Sequence, residues 1–153
     1  MARTSALIRA ARPADLERLL PQVRDFWLFE KLRWETVDVS RVLASLLDDP
    51  SRGRVFVAEA DGELVGYSVL AFGYSLEHGG LDALVDELYV RPELRGDGLG
   101  TRLLEALAAT CRALGITRLH LEVDRTNPRA QKLYARLGFG SNDRFLLTKK
   151  LDT

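Results

Sequence analysis

Cysteine and histidine are scarce in this sequence of 153 residues, which contains one cysteine and two histidines. The single cysteine, Cys111, cannot form an intrachain disulfide, which suits a reducing compartment. The histidines, His78 and His120, have no second histidine or cysteine beside them at the spacing typical of zinc ligands. The sequence therefore predicts a fold without a disulfide and without a structural metal.

An excess of charge of one sign is also missing, because 22 Lys and Arg residues balance 22 Asp and Glu residues. Proteins that bind nucleic acid without sequence preference usually carry a basic surplus, so the balance argues against that class. No apolar stretch approaches the roughly 20 residues that span a bilayer, and residues 1–20 lack the apolar segment of a signal peptide. We therefore expect a soluble, cytoplasmic protein with no nucleic-acid partner and no membrane partner.

What the sequence does have is a regular succession of strand-like and helix-like segments. Alternating apolar residues predict strands over residues 6–9, 54–60, 63–72, 81–90, 116–124 and 145–151. Three-to-four spacing predicts helices over residues 13–26, 39–47, 101–114 and 128–137, with a loop over residues 73–80. Asp61-Gly62 predicts a two-residue hairpin turn, because both turn positions need a positive φ. This order predicts a single α/β (α+β) domain over residues 1–153, with helices covering a mixed sheet.

A glycine-rich turn between the strand at residues 81–90 and the long helix has the features of an anion site. Gly96, Gly98 and Gly100 let the backbone bend tightly and let an anion approach its N–H groups. The helix that follows adds its dipole, and Arg95 adds a fixed cation suited to phosphate oxygens. The spacing is neither that of a P-loop nor that of a dinucleotide fold. A connector with a surface arginine is the alternative interpretation.

Two motifs resemble those of the GNAT family of N-acetyltransferases. The segment Arg95-Gly96-Asp97-Gly98-Leu99-Gly100 resembles the acetyl-CoA motif R-x-x-G-x-G/A, and residues 88–92 precede it as in that family. Downstream, residues 127–139 resemble the second signature of the family, and the order of elements agrees over nearly the whole chain. The resemblance implies a mostly antiparallel sheet flanked by helices and splayed at the cofactor site. It also implies a single N-acetyltransferase domain and a possible homodimer.

The resemblance also implies acetyl-CoA as co-substrate, with no metal, and assigns its contacts. The pantetheine arm would lie along Leu88, Tyr89 and Val90, with the backbone N–H of Leu88 donating to the thioester carbonyl. The pyrophosphate would bind Arg95 and the backbone N–H groups of the turn, which are those of Gly96, Asp97, Gly98, Leu99, Gly100 and Thr101. Asn127 is expected to cap the fourth helix first and to contact the cofactor second.

Acetyl transfer to an amine needs one proton removed and one supplied. The resemblance nominates Tyr134 as the general acid for the departing thiolate, although its ring also fits the core stripe of its helix. Asp86 and Glu87 are the candidates for the base, and as neighbours on a strand they point to opposite faces. We favour Asp86, which shares a face with Leu88 and would act through water. Glu87 and deprotonation by solvent remain as alternatives.

The function that this pattern favours is transfer of acetyl from acetyl-CoA to a primary amine, by direct attack in a ternary complex. Acidic residues favour a cationic small amine, of polyamine or diamine type; these are Glu30, Glu35, Asp38, Glu77, Asp82 and Asp86. A protein lysine or N-terminal acceptor is one alternative, and a non-catalytic acyl-CoA sensor is another.

Two further groups of side chains have both a functional and a plain interpretation. The aromatic residues Phe26, Trp27, Phe29 and Trp34 either wall the acceptor site, as the resemblance implies, or simply pack the core. His78 and its loop either line the acceptor cleft or form plain surface, and His120 is expected to pair with neighbouring helices.

Overall fold

A five-stranded sheet forms the centre of the computed structural model, which describes residues 5–152. Its strands lie side by side in chain order: β1 (Leu7–Ala10), β2 (Gly53–Ala60), β3 (Glu63–Ser75), β4 (Gly80–Val90) and β5 (Leu119–Leu121). The first four strands pair antiparallel with their neighbours, and β5 pairs parallel to β4. The prediction of a mixed, mostly antiparallel sheet with helices is confirmed.

Helices cover both faces of this sheet. The described chain has α1 (Leu16–Phe29), α2 (Val39–Asp48), α3 (Leu99–Ala113) and α4 (Pro128–Arg136). Val57 and Ala58 are neighbours on β2, so their side chains point to opposite faces. Val57 packs in a core with residues of α1 and α2, whereas Ala58 packs with Leu103 of α3. The sheet is therefore sandwiched, with α1 and α2 on one side and α3 on the other.

The loops at the two ends of β3 differ in how well the sequence anticipates them. The turn at Asp61-Gly62 has φ angles of 52° and 78°, which confirms the predicted two-residue hairpin. At the other end, β3 continues to Ser75 and β4 begins at Gly80, so the loop is shorter than the predicted range of 73–80. Gly73 pairs with Asp82 within the antiparallel ladder, which extends the two strands beyond the apolar segment.

Two predicted strands are wrong in part or in full. The strand expected over residues 116–124 is reduced to β5. The N–H of Ile116 bonds to the carbonyl of Cys111 at the end of α3, and the Asp124 carboxylate accepts from the backbone and hydroxyl of Thr126. The strand expected over residues 145–151 does not form in the described chain, although its apolar residues are there. Phe145, Leu146 and Leu147 are 77%, 80% and 88% exposed, and a strand needs a neighbour to accept its hydrogen bonds.

The contacts within the chain divide it into two compact units, one ending at Leu121 and the other beginning at Glu122. The sheet and α1 to α3 lie in the first unit, and α4 lies in the second. No helix in the described residues is both long enough and apolar enough to cross a membrane.

Candidate active site

A bulge in β4 shapes the region of the two candidate bases. Val69 of β3 lies opposite Glu87, whereas the next residue, Leu70, lies opposite Val85. Asp86 is therefore an extra residue on β4, and the regular alternation of faces is interrupted there. The sequence favours Asp86 over Glu87 because Asp86 shares a face with Leu88 in a regular strand. The bulge breaks that alternation, so the shared face no longer distinguishes the two residues. Asp86 is exposed and Glu87 is half-buried.

Both carboxylate oxygens of Glu87 accept hydrogen bonds from aromatic side chains. The hydroxyl of Tyr67 donates to Oε1 at 2.8 Å, and the indole N–H of Trp27 donates to Oε2 at 2.8 Å. Tyr67 comes from β3 and Trp27 from α1, so the sheet and the helix together fix the orientation of the carboxylate. A side chain held from two elements loses its rotamer freedom, which is what a positioned proton-transfer group needs.

The pKa of Glu87 is raised from 4.5 to about 7. Burial is the largest cause, because it disfavours the charged form; the negative charge of Asp86 adds to the rise. The hydrogen bonds from Tyr67 and Trp27 act in the opposite direction, since they stabilise the carboxylate. A carboxyl group with a pKa near neutrality can both take up and release a proton at physiological pH, which is the property of a general base.

The low-dielectric surroundings of Glu87 come from packed aromatic rings. Tyr67 is fully buried, and Tyr89 is 5% exposed. The ring of Phe26 packs edge-on against both, with centroids 6.3 Å apart in each pair. The aromatic residues of α1 thus divide between the two interpretations given for them: Phe26 packs the core, whereas Trp27 contacts a candidate catalytic group.

The glycine turn has a left-handed backbone geometry that glycine adopts readily. Gly96 and Gly98 have φ angles of 94° and 85°, in the left-handed region where side chains are disfavoured. Gly98 caps α3, and its carbonyl accepts from the N–H of Arg102 in the first bond of the helix. The N–H groups of Leu99, Gly100 and Thr101 precede that bond, so they are donors without an intrahelical acceptor. They therefore lie at the positive end of the dipole of a helix of 15 residues.

Arg95 is held beside this turn by the end of β4. Its Nε donates to the carbonyl of Val90 at 2.9 Å, and its guanidinium lies 5.0 Å from the ring centre of Phe29 and 5.7 Å from that of Tyr89. Among residues 5–152, the terminal nitrogens of Arg95 have no protein acceptor. The arginine is thus positioned by one nitrogen while two remain for an anion.

The segment of β4 between the bulge and the glycine turn extends beyond the ladder that joins β4 to β5. The parallel ladder joins Ala83, Leu84 and Val85 to β5, and it stops there because β5 ends at Leu121. Leu88, Tyr89 and Val90 continue β4 beyond that point, paired with β3 on the other side. This is the segment to which the resemblance assigns the pantetheine arm, and the end of the ladder is the feature expected of a splayed sheet.

The structure brings one group of the nominated residues together on a continuous stretch of the first unit. That group comprises Asp86, Glu87, Leu88, Tyr89, Val90, Arg95, Gly96, Asp97, Gly98, Leu99, Gly100 and Thr101. The other two lie in the second unit. There Asn127 caps α4, with its side-chain oxygen accepting from the N–H of Ala130 at 3.1 Å, and the ring of Tyr134 packs against Phe139 at 6.0 Å.

Sequence reasoning missed the roles of Tyr67 and Trp27 as partners of Glu87. The sequence places Tyr67 only within an alternating strand, and Trp27 in an aromatic group that either walls the acceptor site or packs the core, so neither position indicates a contact with Glu87. No glycine, proline or turn residue marks the bulge at Asp86 in the sequence. The sequence offered one signal. Tyr67 and Trp27 each carry a polar group on a largely apolar ring, and such a group needs a hydrogen-bond partner such as Glu87 when it is buried.

Comparison with known proteins finds an acetyltransferase family model and acetyltransferase relatives. Residues 19–139 match the model of the acetyltransferase (GNAT) family. The chain is 32% identical over 142 residues to the thialysine N-epsilon-acetyltransferase of Bos taurus, which covers 86% of this chain and 82% of that protein. It is 36% identical over 113 residues to the mycothiol acetyltransferase of Thermobispora bispora, which covers 72% of this chain and 37% of that one.

Solved structures show the same fold. The integron cassette protein HFX_CASS3 from the mobile metagenome of Cole Harbour Salt Marsh matches with a TM-score of 0.82 and 32% identity, over 95% of this chain and 91% of that one. A predicted acetyltransferase of Clostridium acetobutylicum, solved with acetyl-CoA, matches with a TM-score of 0.78 and 18% identity, over 94% and 96% of the two chains. At that identity, the second likeness shows the fold alone.

Proposed function

Since the chain belongs to the GNAT family and is an N-acetyltransferase, we propose that it moves acetyl from acetyl-CoA to a small cationic amine, with Glu87 as the general base. Membership confirms the resemblance carried by the two motifs. The observation that supports the specific assignment is the half-buried carboxylate of Glu87, with its raised pKa, on the same strand that leads into the glycine turn.

Glu87 is the base because an amine in its ammonium form must lose a proton before its nitrogen can attack. The Glu87 carboxylate takes that proton, directly or through one water, and a pKa of about 7 matches the task near neutral pH. Asp86 is the extra, exposed residue of the bulge, whereas Glu87 is held by two hydrogen bonds. It serves instead as a second negative charge beside Glu87, which attracts a cationic substrate.

The remaining steps follow from the same chain. The deprotonated nitrogen forms a bond to the thioester carbon, the carbon–sulfur bond breaks, and the thiolate takes a proton from the hydroxyl of Tyr134. The nitrogen then releases its second proton, which restores the Tyr134 hydroxyl, and protonated Glu87 gives its proton to solvent. The N–H of Leu88 donates to the carbonyl oxygen as negative charge develops on it. The products are an acetamide and CoA, so atoms and charges balance. The roles of Tyr134 and Leu88 come from the resemblance.

The cofactor contacts are proposed on the fit of the residues present. The N–H groups at the start of α3, which have no acceptor within the helix, and the two terminal nitrogens of Arg95 supply donors for a pyrophosphate. The two left-handed glycines let a bulky anion approach the backbone. The side-chain oxygen of Asn127 caps α4, and its amide N–H groups remain as donors for the cofactor.

The acceptor is proposed as a small cationic amine because Asp86 and Glu87 are adjacent acidic residues. The thialysine N-epsilon-acetyltransferase relatives, by their name, act on a small amine of this kind. A test is CoA release measured against a panel of diamines, polyamines, thialysine, a lysine peptide and an N-terminal peptide. Turnover confined to the small cationic amines supports the proposal. Turnover with peptides only would assign a protein acceptor, and tight acetyl-CoA binding without any turnover would indicate a sensor.

A single domain over residues 1–153, a cytoplasmic location and a homodimer belong to the same proposal. Sedimentation at micromolar concentration tests the dimer, and a single cooperative unfolding transition tests the single domain.

A further inference from the structure

Two histidines and an aspartate meet at the far end of β4 from the glycine turn. Nδ1 of His78 lies 3.1 Å from Oδ2 of Asp82, and Nε2 of His120 lies 3.5 Å from the same oxygen. One ligand atom from each residue can be chosen so that all three lie within 4.8 Å of one another. The three side chains are 21%, 16% and 38% exposed, so the cluster is sheltered but open to solvent on one side.

The backbone around the cluster is built to leave room for it. Asp82 pairs with Gly73 across the β3–β4 ladder, and a Cβ atom at position 73 would lie 2.4 Å from Oδ1 of Asp82. Only glycine accommodates the carboxylate in this orientation, because real Cβ contacts do not come so close. Gly79 and Gly80, with φ angles of 80° and 126°, turn the chain immediately after His78 and bring that side chain back over β4.

His120 reaches the cluster from the other neighbouring strand. It lies opposite Leu84 in the parallel ladder, and Leu84 is two residues beyond Asp82, so the side chains of Asp82 and His120 project from one face of the sheet, where His78 of the loop meets them. The rings of His78 and His120 are 5.1 Å apart, at an angle of 38°. The three residues therefore come from a loop, a strand and a second strand, and the fold rather than their spacing in the chain brings them together.

Two imidazoles and one carboxylate are the ligand set that binds zinc and similar divalent ions in many proteins. In a tetrahedral site with ligands about 2.1 Å from the ion, the ligand atoms lie about 3.4 Å from one another. The two distances to Asp82 Oδ2 already match that edge. The third edge, between the two histidines, closes by a small rotation of one ring, for which the exposure of His120 leaves space.

We propose that His78, Asp82 and His120 bind one divalent transition-metal ion of zinc-like chemistry, with the fourth position open to water. The ion would join the loop after β3 to β4 and β5. Because β5 pairs with β4 over three residues only, a bond through the ion would brace the shortest ladder of the sheet. The site is separate from the acetyl-transfer residues and does not depend on the proposed function. The sequence predicts a fold without a metal because the histidines have no ligand neighbours at zinc spacing along the chain. Residues that the fold brings together from distant positions do not show in that spacing.

The first experiment is calorimetric titration of the untagged, EDTA-dialysed full chain with Zn²⁺ at pH 7.5. We expect one ion per chain with a micromolar or tighter Kd. Co²⁺ should bind at the same place and give the intense visible bands of four-coordinate cobalt. A Zn²⁺ concentration 100 times Kd should raise the thermal midpoint by several degrees, since a ligand that binds only the native state stabilises it. Absence of heat, of the cobalt bands and of the thermal shift would overturn the proposal.

Variants then locate the ion. Asp82→Asn, His78→Gln and His120→Gln should each weaken Zn²⁺ binding at least tenfold. Asp61→Asn makes the same chemical change at the exposed hairpin turn, at the other end of β3, and should leave Kd unchanged. Zinc binding that survives all three cluster variants would place the ion elsewhere and contradict the assignment. Circular dichroism of each variant in EDTA distinguishes lost binding from lost folding, and the wild-type titration decides the question where a variant does not fold.

Discussion

The hydroxyl of Tyr67 donates a hydrogen bond to Oε1 of Glu87 at 2.8 Å, across the bulged ladder of β3 and β4. The hydroxyl remains protonated, because burial and the adjacent carboxylate both raise the pKa of Tyr67 above its usual value. A permanent donor therefore faces a carboxyl group that titrates. This bond limits how far burial raises the pKa of Glu87, so the tyrosine sets the pH at which the proposed base becomes active.

Removing that donor should move the pH dependence of the reaction. Tyr67→Phe keeps the buried ring but takes away one hydrogen bond to the charged form of Glu87, which raises the pKa of the carboxyl. The midpoint of the acidic limb of kcat/KM should move to higher pH by about one to two units, because a hydrogen bond to a charged group contributes about 1.5–3 kcal/mol.

Two further variants complete this measurement. Trp27→Phe removes the second donor and should shift the midpoint in the same direction. Tyr74→Phe makes the same chemical change as Tyr67→Phe on a side chain that is 78% exposed, and should leave the midpoint in place. A midpoint that Tyr67→Phe leaves unmoved would show that Glu87 does not control the limb.

Arg95→Ala should raise the KM for acetyl-CoA by about tenfold or more, because a lost charge-assisted hydrogen bond costs about 1.5–3 kcal/mol. The value of kcat should change less, since the phosphates are remote from the reacting atoms. Arg112→Ala, at the opposite end of α3, is the matched control and should leave KM unchanged. An unaltered KM in Arg95→Ala would contradict the phosphate role.

Tyr134→Phe tests the proposed acid. The variant should lower kcat by about a hundredfold, the lower end of what a positioned acid contributes. Circular dichroism should show a folded variant, because the ring and its packing against Phe139 are retained. Equal kcat values for wild type and variant would remove Tyr134 from the mechanism and leave it as a packing residue.

A separate prediction concerns stability. The guanidinium of Arg9 bonds to Asp15 at 2.8 Å and to Glu59 at 2.7 Å, and the Asp15 side chain is 3% exposed. The hydrogen bond from Arg9 is the largest cause that lowers the pKa of Asp15 from 3.8 to about 2. The stabilisation is present above the unfolded pKa and is lost as the pH falls through about 4 toward 2.

Arg9→Met should therefore lower the free energy of unfolding at pH 7 by about 3 kcal/mol, because it removes the bidentate partner of a buried carboxylate and leaves it the backbone N–H of Arg12. The loss should shrink as the pH approaches 2, where Asp15 becomes protonated in both proteins. Urea denaturation at several pH values measures it. Arg33→Met, at a largely exposed pair, is the control and should change stability by less than about 1 kcal/mol. A loss that does not depend on pH would contradict the account.

The sequence was sufficient for features that depend on local chemistry. The turn at Asp61-Gly62, the left-handed glycines at 96 and 98, and the cap at Asn127 all form as local rules require. These features need no information about distant residues, and the glycine turn together with the segment that Asn127 opens carried the resemblance to the family.

Features that depend on pairing between distant segments were not predictable. The bulge at Asp86 arises from the register between β3 and β4, and neither Asp86 nor its sequence neighbours indicate that register. The apolar residues 145–151 have the pattern of a strand, yet a strand forms only where a second segment shares its hydrogen bonds. The hydrogen bonds of Glu87 need α1 and β3 to meet at one point. Each of these is set by tertiary structure.

The most direct test of the proposed mechanism is the pH dependence of kcat/KM in the wild type, in Glu87→Gln and in Asp86→Asn. Wild type should show an acidic limb with a midpoint near 7, matching the pKa of about 7 that burial gives Glu87. Asp86→Asn should retain the limb, shifted to slightly lower pH because a neighbouring negative charge is gone. Glu87→Gln should lose the limb and at least about a hundredfold of rate at pH 8. A full limb and full rate in Glu87→Gln would contradict the central claim.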